Sequence, residues 1–130
     1  MNKFNRNDSK TLKVHSTSDT KVSYGSGDIW GHHASENVCL SQAGRTKSDD
    51  ICVNDFSILL VNDQNGLSGL IADGIIGLSP TTFGSSKSDL FIDRAFEQGA
   101  IDEKVFSLLI GSGYQESVMT VGGYDLSKYA

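Results

Sequence analysis

Lys21-Val22-Ser23-Tyr24-Gly25-Ser26-Gly27-Asp28-Ile29-Trp30 sets the fold class of this chain. Two short strand-like runs flank Gly25-Ser26-Gly27, and small residues that tolerate positive φ are what a tight hairpin tip needs. Two antiparallel strands are expected here. The same pattern continues outward. Val38-Cys39-Leu40 reads as a further short strand, and Phe56-Ser57-Ile58-Leu59-Leu60-Val61 is an apolar run of the length of a buried strand. Asn65-Gly66 then signals a turn. Residues 106–110 and 118–121 read as two more strands, joined in a long hairpin by Gly111-Ser112-Gly113-Tyr114-Gln115-Glu116-Ser117.

One segment reads differently. Residues 81–88 are small and polar, a surface loop, after which Leu90, Phe91, Ile92, Ala95 and Phe96 supply one apolar face of a helix over residues 90–98. Ser88 or Asp89 can cap its start, and Gly99 stands where a left-handed stop is expected.

Composition agrees with a mainly β domain. The chain has 130 residues, 38% of them hydrophobic, with 14 glycines and a single proline, which favours strands joined by tight turns. A domain of this size removes roughly 70% of its unfolded surface from water, enough for one core. The net charge of -5 comes with no dense Lys/Arg cluster, which argues against nucleic acid as a partner. No apolar run approaches the roughly 20 residues that cross a bilayer, and Met1-Asn2-Lys3-Phe4 leads into polar residues rather than the apolar core of a signal peptide.

Cys39 and Cys52 enclose a polar loop containing Arg45, Thr46, Lys47, Ser48, Asp49 and Asp50. A disulfide across it and two buried free thiols are equally open on the residues alone. Asn7-Asp8-Ser9 fits the acceptor pattern for N-glycosylation; without modification, Asn7 and Asp8 make a turn. His32-His33 does not read as a metal site, because neighbouring side chains on a strand point to opposite faces. No Gly-x-Ser-x-Gly elbow and no Cys-x-x-Cys pair occurs, and no cofactor is implied.

Tyr24-Gly25-Ser26-Gly27, Asp73-Gly74-Ile75-Ile76-Gly77-Leu78, Phe106-Ser107-Leu108 and Gly122-Gly123-Tyr124-Asp125 occur in one order that resembles the amino-terminal lobe of a pepsin-like aspartic protease. The resemblance runs from about Phe4 to Tyr129. It implies an incomplete, β-barrel-like lobe over residues 4–130 with one short helix. It also implies a flap, the hairpin that closes over an extended peptide and shields the reacting centre from water. By that match Tyr24 packs beside the cleavage site, Gly25 and Ser26 offer backbone and hydroxyl contacts, and Ile75 reaches the wall of a substrate pocket. Ile75-Ile76-Gly77 would pack beneath the catalytic loop.

The chemistry of that family needs two carboxylates facing one water and sharing a proton, so that one acts as base and the other as acid. No Asp-Thr-Gly or Asp-Ser-Gly triplet occurs in this chain. Asp73 precedes Gly-Ile and is expected to serve a turn or a hydrogen bond, while Asp19-Thr20-Lys21 lacks the glycine of the catalytic turn. The resemblance therefore places both catalytic aspartates outside the chain, one before Phe4 and one in a second lobe. The sequence also departs from the family pattern at Glu36, where Asp is common, and at Ala72, where an aromatic residue is expected.

The resulting expectation is a fragment of an aspartic endopeptidase, inactive by itself, that carries the flap. Its parent would act on extended peptides and, by family analogy, be secreted, vacuolar or lysosomal. Two other readings stand beside it: a noncatalytic peptide-binding module built on the same lobe, and a purely structural β protein.

Overall fold

The computed structural model describes residues 4–41, 50–80, 89–113, 116–124 and 126–128. The expected loop residues 42–49 and 81–88, with Ser88, and the positions Tyr114, Gln115, Asp125 and Tyr129 lie outside them. In chain order the elements are β1 (Lys13–Val14), β2 (Thr20–Tyr24), β3 (Gly27–Leu40), β4 (Ile51–Asn65), α1 (Phe91–Glu97), β5 (Phe106–Leu109) and β6 (Val118–Val121), followed by a 3-10 turn, Leu126–Lys128. The fold is mainly β with one short helix, and among the described residues no barrel closes. No described helix is long and apolar enough to cross a membrane.

The chain divides into two compact units, one of Met1–Val38 with Asn54–Gly77 and the other of Cys39–Val53 with Leu78–Ala130.

In the first unit β3 is the organising strand. It pairs antiparallel with β2, from Thr20 opposite Gly31 to Tyr24 opposite Gly27, with β1 at Lys13 opposite Ser35, and with β4. Val38-Cys39-Leu40, expected as a separate strand, is instead the end of this same 14-residue strand. The polar stretch His32–Asn37 hides that continuity in the sequence. Ala34 and Phe56 are buried, and so are two polar residues, Ser35 and Glu36. Of the apolar run 56–61, Phe56 is buried, the next four residues are intermediate and Val61 is exposed. A half-covered strand replaces the expected buried one. Asp55 sits at φ 53, in the left-handed region, where the two exposed residues Asn54 and Asp55 interrupt the alternation of burial along β4.

The second unit packs around Val53, Phe91, Ala95 and Ile101. Phe91 and Ala95 are four apart, so they share the inward face of α1. Leu90, in an extended conformation, is the N-cap residue, one position beyond Asp89, and its own side chain makes no capping hydrogen bond. The stop is as expected. Gly99 takes φ 71, its N–H donates to Phe96 O at 3.0 Å, and the Ala100 N–H donates to Ala95 O at 2.8 Å, a Schellman ending. Phe96 is not part of the buried face; it is 42% exposed and lies under the Lys104 ammonium, 5.3 Å from ring centroid to Nζ. β5 and β6 pair antiparallel, from Phe106 opposite Val121 to Leu109 opposite Val118. Gly122, at φ 78, passes so close to Ile101 that a Cβ there would stand 2.7 Å from the Ile101 Cβ.

Cys39 and Cys52, both in the second unit, form a disulfide with Sγ–Sγ 2.04 Å. This settles the choice left open by the sequence.

Candidate functional site

The hairpin of β2 and β3 turns through Gly25 and Ser26, with Tyr24 directly opposite Gly27 at its mouth. Residues paired in this way project from the same face of the ladder. Tyr24 is 44% exposed, and Gly25 and Ser26 are exposed, so the tip presents a half-free aromatic ring next to accessible backbone. Neither tip residue has positive φ. The sequence correctly locates the turn, but positive φ is not what its glycines supply.

Close packing explains one of them. A Cβ on Gly27 would stand 2.3 Å from the Asn65 carbonyl oxygen, and one on Gly31 would stand 2.5 Å from that of Leu60. The backbone of β4 thus lies against β3 at two points four residues apart, where only glycine fits. Gly66, at φ 83, completes the contact by turning the chain next to Ser26 and Gly27. A Cβ on Gly25 would meet nothing within 4 Å. The hairpin has an open tip on a tightly seated base.

Side chains reinforce that base. On one face of the hairpin Lys21 pairs with Asp28 at 3.0 Å, and its ammonium lies 5.2 Å from the centroid of Trp30. Hydrogen bonds from Ser23 and then Lys21 hold the Asp28 carboxyl below its usual range. Asp19 accepts from Asn62 at 2.9 Å and contacts His32 Nε2 at 3.1 Å, joining the approach to β2 with β3 and β4.

Ile75 belongs to a different part of the same unit. It lies in the stretch Leu70–Gly77, which has no helix or strand, and it is 60% exposed, with Ile71 at 89% and Ile76 at 42%. No Asp-Thr/Ser-Gly loop occurs in this chain to cover Ile75-Ile76-Gly77 as the resemblance implies. Asp73 is exposed in a bend, the turn alternative of its expected role, and makes no hydrogen bond to a described residue.

Two polar clusters were not foreseen. Glu36 accepts hydrogen bonds from the Ser9 and Thr11 hydroxyls and, at 2.8 Å, from the Asn37 N–H. Burial opposes its ionisation, but the three donors outweigh burial and hold its carboxyl below the ordinary glutamate value. Nearby in sequence, Ser35 Oγ donates to Asp55 at 2.7 Å and meets His15 Nε2 at 3.0 Å, while Lys13 donates to Asp55 at 2.9 Å. A serine hydroxyl has one proton. Because Ser35 spends it on Asp55, His15 Nε2 must be a donor and is not a base for Ser35. The three residues form a structural relay, not a nucleophilic triad, in which the histidine would stand in the middle. Lys13 and then Ser35 hold Asp55 below its usual pKa.

Each of these carboxylates, Asp19, Asp28, Glu36 and Asp55, faces a cation, a hydroxyl or an amide. None faces a second carboxylate, the arrangement that shared-proton chemistry needs. Among the described residues, no group of three His, Cys, Asp or Glu is placed to hold a metal ion. Asn7 is exposed in the turn after Asn5.

Comparison of the sequence with known proteins finds similarity to vacuolar proteases and pepsins. Over 130 residues, 98% of the chain, it is 28% identical to vacuolar protease A of Neurospora crassa, of which that match covers 31%. It is 31% identical to pepsin A of Suncus murinus over 98% of the chain and 32% of that protein. Vacuolar protease A of Arthroderma otae is 30% identical over 83% of the chain and 27% of its own length. The chain spans about a third of the length of these curated relatives. The family model described as eukaryotic aspartyl protease matches residues 1–130, and the chain belongs to that family.

Proposed function

We propose that residues 4–130 are the flap-bearing part of the amino-terminal lobe of an aspartic endopeptidase, covering an extended peptide while both catalytic aspartates come from outside this chain. The observation that carries the reading is the hairpin: an accessible Tyr24-Gly25-Ser26 tip on a base that β4 seats at Gly27 and Gly31. Such a tip can move over a peptide while its base holds position. Tyr24 supplies the aromatic contact beside the cleavage site, and Gly25 and Ser26 supply backbone and hydroxyl contacts. Ile75 lines the pocket wall, where Ala72 in place of an aromatic residue leaves more room. The disulfide supports an oxidising compartment, secreted or vacuolar, as do the relatives named vacuolar protease and pepsin.

The absence of any Asp-Thr-Gly or Asp-Ser-Gly triplet favours a second reading, a noncatalytic module that binds a strand-like peptide with the same hairpin. Two measurements separate the readings. The full transcript is sequenced for Asp-Thr/Ser-Gly triplets upstream of Phe4 and downstream of Ala130, and the chain is titrated with an extended peptide before and after Tyr24→Ala. Both triplets present, with no hydrolysis by the chain alone, supports the protease lobe. Triplets absent, with peptide binding that weakens about tenfold in Tyr24→Ala, supports the module. Neither triplets nor binding sinks both.

A further inference from the structure

We infer that Asn7 is an N-glycan acceptor, and that the fold closes this site once the turn around it has formed. The inference rests on the oxidising-compartment part of the proposed reading, not on peptide binding or catalysis. Asn7 is exposed in the turn that begins at Asn5, where the Asp8 N–H donates to Asn5 O at 3.1 Å and Asn5 Nδ2 donates to Asp8 Oδ2 at 2.7 Å. The Asn7 backbone N–H is held by Asn5 Oδ1 at 3.1 Å, but its side-chain amide has no hydrogen-bond partner among the described residues. A glycan on Nδ2 would displace nothing. The disulfide is an independent sign of the compartment in which such transfer takes place.

The third residue of the acceptor pattern behaves differently. Ser9 Oγ donates to Glu36 and accepts the N–H groups of Thr11 at 3.2 Å and Leu12 at 3.1 Å, so its hydroxyl is fully engaged. A transferase that reads Asn-x-Ser must reach that hydroxyl. In the folded turn it is already committed to a buried carboxylate. Transfer therefore precedes the Ser9 to Glu36 contact.

The co-reactant is a lipid-linked oligosaccharide pyrophosphate. A bond forms between Asn7 Nδ2 and the first sugar carbon, and the bond from that carbon to the pyrophosphate oxygen breaks. The amide gives up one proton and the lipid pyrophosphate leaves with the electron pair.

The test is translation of the chain behind a cleavable secretory leader in the presence of microsomes, with a reporter acceptor sequence in a C-terminal tag. Only chains carrying the reporter glycan are scored, so every scored chain has been translocated. A second glycan-sized mobility step is expected in wild type and in Ser9→Thr, lost completely in Asn7→Gln, and removed by an amidase that cleaves N-glycans. An empty Asn7 in translocated chains overturns the site. For the order of events, purified unmodified chain is offered to microsomal transferase with the lipid-linked donor, either folded and oxidised or reduced and unfolded. At least tenfold lower occupancy is expected for the folded chain; equal occupancy overturns the closure of the site by the fold.

Discussion

Replacing Gly31 by alanine and, separately, Gly25 by alanine should move stability in different directions, although both glycines belong to one hairpin. At position 31 the new Cβ would stand 2.5 Å from Leu60 O, 2.9 Å from Leu60 C and 3.0 Å from the Val61 Cα, all of them backbone atoms of β4. That is roughly 1 Å short of an ordinary non-bonded contact, and no side-chain rotation relieves it. Overpacking of this kind costs about 1–3 kcal/mol, and a clash against backbone belongs at the upper end. At position 25 nothing lies within 4 Å and φ is not positive, so alanine meets no obstacle and narrows the unfolded ensemble. The expected effect there lies between none and a gain of about 1 kcal/mol. Urea denaturation followed by far-ultraviolet circular dichroism measures both. With a slope of about 1–3 kcal/mol per molar, Gly31→Ala should unfold at a midpoint roughly 1–3 M lower, while Gly25→Ala stays level or rises. A Gly31→Ala midpoint equal to wild type, or an equal fall for Gly25→Ala, would refute the claim that β4 seats the base and leaves the tip open.

Phe91→Ala, which empties the most enclosed aromatic site of the second unit, should lower stability by about 3–5 kcal/mol in the same assay, whereas Phe96→Ala, at the exposed ring under Lys104, should cost far less. Cys39→Ser with Cys52→Ser opens a loop with a sequence separation of 13 and should cost about 3 kcal/mol by chain entropy, read as a difference in urea midpoint; an unchanged midpoint would remove the disulfide from the stability argument. Glu36 has a folded pKa below its unfolded value of about 4.3, so its contribution is present above that value and disappears as pH falls through the folded one. Wild type should therefore lose stability on acidification from pH 6 to pH 3 more steeply than Glu36→Gln, and parallel curves would count against the bonds from Ser9 and Thr11.

Local signals in the sequence were sufficient for the hairpin, the β5–β6 pair, the helix and its stop at Gly99, because turn residues and apolar spacing act over a few positions. They failed where a residue's role depends on a distant partner. The run from His32 to Asn37 looks like a polar strand end. In the fold, Ser35 and Glu36 are buried there because Ser9, Thr11 and Asp55, some 20 or more positions away, satisfy their polar atoms. The glycines show the same limit. Tolerance of positive φ is what the sequence suggests for Gly25 and Gly27, yet the approach of Asn65 to Gly27 and of Leu60 to Gly31 is a tertiary fact. At the candidate site, the turn beside Tyr24 and the bend at Asp73 were legible, while the exposed setting of Ile75 was not, since exposure depends on what distant segments cover.

Trp30 is the sole tryptophan of the chain, and it sits on the hairpin strand with the Lys21 ammonium beside its ring. Indole emission from this protein accordingly has a single origin. A change in its wavelength or intensity when a peptide is added reports on the hairpin without a dye or a label, and its quenching by iodide or acrylamide measures how far Lys21 screens that one ring from solvent.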